Sequence, residues 1–176
     1  YEIRNCDWSS DVCSSDLVLY DDNSNGKPMD GDPMDGKFPM HTLGAATTEA
    51  PLLDSMRIGK GPRVPFSEFA YVGGAWRWIH RTNDLKLGTK PLNPEYFKTG
   101  KVKLVWAGPK PTAPVQLVIR GLGDFATSCF DVASGKEVEV PAGEWQVLWG
   151  RILQGKGPRA QMATIYGGDA KSFLVE

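Results

Sequence analysis

One pattern constrains this chain more than any other: short runs of alternating apolar and polar residues, each cut off by glycine or proline. Val138 and Val140 fall on one side of an extended segment, with Glu137 and Glu139 on the other. Pro141-Ala142-Gly143 then interrupts the run, after which Trp145, Val147 and Trp149 again share a face. A period of two is the signature of strands with one buried side. Comparable segments recur over residues 69–72, 75–80, 101–106, 115–119, 127–132, 160–166 and 171–175. Strands in the second half recur every 8 to 15 residues or about that, the spacing of a sandwich or barrel. The 20 Gly and 13 Pro favour many turns over long helices.

The expected fold is therefore all-β, with an antiparallel β-sandwich or barrel in the second half. A smaller β-rich region with a polar loop fills the first half. Helical patterns do not alternate with strands, which disfavours a parallel α/β sheet. Residues 50–56 read as one helical turn at most. Gly73-Gly74 reads as the turn of a hairpin between residues 69–72 and 75–80. No apolar run is long enough for a membrane helix, and a net charge of −1 gives no field suited to nucleic acid.

Residues 1–17, YEIRNCDWSSDVCSSDL, resemble the conceptual translation of a sequencing adapter. That resemblance implies a non-native segment, disordered and without core contacts. It also removes Cys6 and Cys13 from consideration as a pair, leaving Cys129 as the native cysteine. The domain reading follows: 1–17 adapter-derived, 18–95 β-rich with an Asp/Asn-Gly loop, and 96–176 sandwich-like and cut short at its C-terminus. The same resemblance implies that the native N-terminus, and any signal peptide with it, lay before Val18 and is missing here.

The segment V-E-V-P-A-G-E-W-Q-V, residues 138–147, resembles the hairpin of transthyretin-like and carboxypeptidase-regulatory-like sandwich modules. The longer stretch 20–175 is similar to uncharacterised secreted bacterial β-sandwich proteins. The resemblance implies an extracellular or periplasmic protein with a structural or interaction role and no assigned reaction.

Two groups of residues carry candidate chemistry. Asp21-Asp22-Asn23-Ser24-Asn25-Gly26 resembles the first half of an EF-hand calcium loop. Asp21, Asn23 and Asn25 would offer side-chain oxygens, Lys27 its carbonyl, and Asp32 the last carboxylate, with Asp30 and Asp35 as alternatives. The competing reading is a solvated polar turn whose side chains cap their own backbone. The second group is Trp76, Trp78, Trp106, Trp145 and Trp149. A period of two places them inward as core. The alternative is a carbohydrate-binding face, which requires Trp76 and Trp78 to be exposed, with Arg77 on the opposite side.

Catalysis has weaker support. His41 and His80 lie far apart in sequence, without neighbours at a zinc-ligand spacing. Ser128 and Cys129 lack a nucleophile-elbow context, and Cys129 reads as a small buried hydrophobe. The expectation is a non-catalytic protein with no resident cofactor beyond calcium, and with a protein or glycan partner. A fragment of a larger secreted enzyme is the remaining alternative.

Overall fold

The computed structural model describes residues 2–3, 17–20, 41–43, 46–48, 54–81, 87–109, 113–155, 160–167 and 169–176. The described residues form antiparallel strands and one 3-10 turn, with no α-helix. Among the described residues no sheet closes into a barrel. The fold is thus all-β, and it divides into two compact units, residues 1–97 and 98–176.

The first unit contains a four-stranded sheet in the order β1 (Glu2–Ile3), β2 (Leu17–Tyr20), β5 (Ser55–Ile58), β6 (Arg63–Pro65). A two-stranded ladder pairs β3 (His41–Leu43) with β4 (Ala46–Thr48). A three-stranded sheet runs β7 (Phe69–Val72), β8 (Ala75–Arg81), β9 (Leu87–Pro91). The Gly73-Gly74 turn joins β7 to β8, and both glycines have positive φ, 61° and 83°. Such a backbone is open to glycine at little cost. Leu17, Leu19, Met56, Phe66, Ala70, Val72 and Ile79 make one core, with Ile58 and Val64 packed against it.

Two expectations fail here. Leu17, which the adapter resemblance sets outside the fold, is 4% exposed, belongs to this core and pairs with Ile58. Its parity explains this, because Leu17 and Leu19 fall on one face of β2. An apolar side chain in phase with a strand packs whatever its origin. Ser55 and Met56, read as the end of a helical turn, are in β5 instead. Met56 lies opposite both Leu19 and Val64, so tertiary burial overrides any local helical tendency.

The described residues of the second unit form two sheets. β10 (Thr99–Val102) pairs with β13 (Val138–Pro141). A five-stranded sheet is built from β11 (Pro114–Gly121), β12 (Cys129–Asp131), β14 (Gly143–Gln154), β15 (Gln161–Tyr166) and β16 (Phe173–Val175). Both sheets contribute to one hydrophobic cluster: Val140 from β13, Ile119 from β11, Trp145 from β14 and Val175 from β16, with Val132 just past β12. Val102, Leu117, Phe130, Val138, Val147 and Phe173 pack around it.

The segment expected as a hairpin over 138–147 is a crossing between sheets. β13 pairs with β10, whereas β14 pairs with β11, β15 and β16. Proline ends the first strand, and the Trp145 indole ties the corner by donating from Nε1 to the Pro141 carbonyl at 2.9 Å. The strand expected over 101–106 stops at Val102, opposite Val138. The chain before Val138 turns at Gly135, with φ of 69°, so β10 has no partner to extend along. Trp106 is accordingly 41% exposed rather than core.

Trp145 and Trp149 are both buried, at 0% and 4% exposure, but they do not share a face. Val118 lies opposite Trp149, and the next residue, Ile119, lies opposite Val147. Leu148 is therefore the extra residue of a β-bulge, and the alternation inverts across it. Trp145 and Val147 join the cluster, while Trp149 points to the other side with Val118 and Arg120.

Candidate functional site: an aromatic sheet face

The face of the β7–β8–β9 sheet opposite the first core is aromatic. Ladder pairing sets Phe69 beside Trp78 and Tyr71 beside Trp76, so these four residues share one side with His80. Ala70, Val72 and Ile79 take the inner side. Arg77 is on that inner side too, and is 7% exposed. Its Nε donates to the Val72 carbonyl at 3.3 Å and one terminal nitrogen donates to Thr89 Oγ1 at 3.4 Å. The tryptophans thus lie outside the core cluster expected of them, yet they are half-buried rather than exposed, short of what the carbohydrate reading required. The aliphatic residues Ala70, Val72 and Ile79 decide which side faces in, and the indoles take the other.

The rings contact one another. Phe69 stacks on Phe97 with centroids 5.5 Å apart, and Trp76 tilts against Phe97 at 5.6 Å. Tyr71 meets Trp76 edge-on at 6.2 Å, and its hydroxyl donates to the Gly74 carbonyl at 3.0 Å. Trp78 stacks on His80 at 4.5 Å with 23° between planes. The Trp78 indole is oriented by a second constraint, a 2.7 Å hydrogen bond from Nε1 to Glu68 Oε1. Trp76 and Trp78 are half-buried, and Tyr71 is 56% exposed.

No family model, curated protein or solved structure matches this chain. The functional reading therefore rests on residues alone. The face presents fixed aromatic planes with polar groups at their margin. Lys90, exposed, pairs across the ladder with Trp78, and Glu68 sits at the indole nitrogen. His80 Nδ1 is buried there without a hydrogen-bond partner. Rings set among a few directed polar groups suit a neutral, partly apolar ligand with many hydroxyls.

The candidate calcium residues, Asp21, Asn23, Asn25, Lys27, Asp30, Asp32 and Asp35, lie outside the described residues. Among the described residues no three His, Cys, Asp or Glu side chains gather as a metal group. Of the candidate nucleophiles, Cys129 is buried, and burial pushes its thiol up to about 12, with the Arg120 charge opposing. A thiol held neutral at neutral pH is no nucleophile. No helix among the described residues is long and apolar enough to cross a membrane.

Sequence reasoning singled out Trp76 and Trp78 but not Phe69, Tyr71 or Phe97. The signal for Phe69 and Tyr71 was present. They keep the same parity across the Gly73-Gly74 turn, so a hairpin register alone sets them beside the tryptophans. Phe97 lies beyond the sheet, and nothing local points to it.

Proposed function

We propose that the chain is a non-catalytic binding protein whose β7–β8–β9 face holds a glycan by stacking sugar rings on Trp76 and Trp78. The observation that carries this reading is the placement of both indoles on the side away from the core, half-buried, with Trp78 oriented by Glu68. A sugar ring offers an apolar C–H face to an aromatic plane and hydroxyls to carboxylate, ammonium and imidazole groups at the edge. Glu68, Lys90 and His80 supply those groups. Preoriented rings lose little freedom on binding, which favours recognition of a weakly held polymer.

Affinity electrophoresis through gels carrying soluble β-glucan, xylan, mannan or chitosan tests the proposal. Retardation by at least one polymer is expected. The Trp78→Ala variant should migrate about as freely as in a polymer-free gel, a loss of about tenfold or more in affinity. Trp78 is outside the core cluster, so the variant should still unfold cooperatively, with a melting temperature lowered only by the lost His80 and Glu68 contacts. Migration unaffected by every polymer, or equal retardation of parent and variant, would overturn the reading.

A further inference from the structure

The face of the five-stranded sheet opposite the Trp145 cluster carries donors that lack acceptors. Arg120 and Val118 are alternate residues of β11 on this face, and Trp149 lies directly opposite Val118. Arg151 follows two residues later on β14, with its guanidinium carbon 4.9 Å from the Trp149 ring centroid. Diagonal neighbours across a ladder are within reach of long and aromatic side chains. Arg120 is 4% exposed and Trp149 is 4% exposed. Arg120 Nε, Arg151 Nε and Trp149 Nε1 are all buried and have no hydrogen-bond partner.

A buried guanidinium without a counter-charge is an expensive arrangement, and an unmatched indole N–H beside it adds to the cost. Among the described residues no carboxylate forms an ion pair with either arginine. Asp131, opposite Val118, accepts at Oδ1 from the backbone N–H groups of Leu117 and Ala133. Glu144 is exposed and accepts from the Ser172 hydroxyl. The other polar side chains that the ladders place on this face, Gln116, Gln146, Cys129, Thr164 and Tyr166, include no carboxylate.

Two ladder irregularities flank the Trp149–Arg151 stretch, one at Leu148 and one between Pro114 and Gln116. The first brings Trp149 onto the arginine side. Bulges commonly re-aim a side chain at a binding site.

We infer that this face binds an oxyanion, a carboxylate or a phosphate, between Arg120 and Arg151, with Trp149 Nε1 as the third donor. The guanidiniums supply charge and paired N–H groups, and the indole fixes the oxyanion's position. This site is independent of the aromatic face.

The test follows the Trp149 indole N–H resonance of the 15N-labelled full chain during titration with sodium phosphate and, separately, sodium acetate. Sodium chloride at matched ionic strength is the control. A saturable downfield movement with one anion identifies its class, and movement with both marks a general oxyanion site. The Trp145 indole, bonded to Pro141, should stay in place. Arg151→Gln should weaken the response about tenfold or more. Arg120→Lys, which keeps the charge but not the fork of donors, should weaken it less than Arg120→Met. Should Arg120→Met not fold, the parent titration and Arg151→Gln still decide the matter. No saturable movement with either anion up to tens of millimolar or about that, or an unchanged response in Arg151→Gln, would overturn the inference.

Discussion

Cys129 shows how burial turns one residue into a pH-dependent stability term. Its thiol is pushed from the ordinary 9.0 up to about 12, chiefly by burial. Below the ordinary value, both folded and unfolded chains keep the proton, and the contribution to stability is complete. As pH rises past it, the unfolded chain ionises while the folded chain stays neutral, so stability falls until the folded pKa is reached. Urea midpoints measured between about pH 9 and about pH 11 should drop more steeply for the parent than for Cys129→Ala. Parallel slopes would show that the thiol is not held neutral. At this scale the sequence was readable in part. Cys129 was expected as a buried hydrophobe, and it is one. Arg77 and Trp78 were not readable, because alternation separates two faces without saying which is inward. Their placement depends on Ala70 and Val72 across the ladder and on a core gathered from Leu17 to Ile79.

Among the elements, local signals were legible and partner choices were not. The β7–β8 hairpin followed from Gly73-Gly74 and alternation, both readable within a few residues. The break at Pro141-Ala142-Gly143 was equally clear, yet the strands on either side of it belong to different sheets. Which strand pairs with which is fixed by distant residues such as Lys98, whose carbonyl accepts from the Ala142 N–H at 2.9 Å. The bulge at Leu148 is a one-residue event with no composition of its own, so Trp149 was assigned to the wrong face. β2 gives the sharpest consequence at this scale. Leu17 is 4% exposed and packed with Leu19 and Met56, so Leu17→Ala should cost about 2–5 kcal/mol in chemical denaturation. A loss under about 0.5 kcal/mol, the range of ordinary surface substitutions, would show that β2 does not need it.

For the whole molecule, two units each build a core from antiparallel strands, and what distinguishes the first is the aromatic surface left outside its core. Calcium at the 21–32 loop stands as a proposal from sequence. If the loop binds the ion, millimolar calcium should raise the melting temperature of the parent but not of Asp21→Ala, because an ion bound only by the folded chain stabilises it by mass action. Equal shifts in both would leave the loop as a polar turn. The central claim is that Trp76 and Trp78 receive a glycan. Its most direct test is the set of six tryptophan indole N–H resonances during titration with an oligosaccharide of the retarding polymer. The Trp78 signal, bonded to Glu68, should move saturably together with that of Trp76, while Trp145 and Trp149 stay fixed. Movement confined to other indoles, or none at all at saturating sugar, would contradict the account.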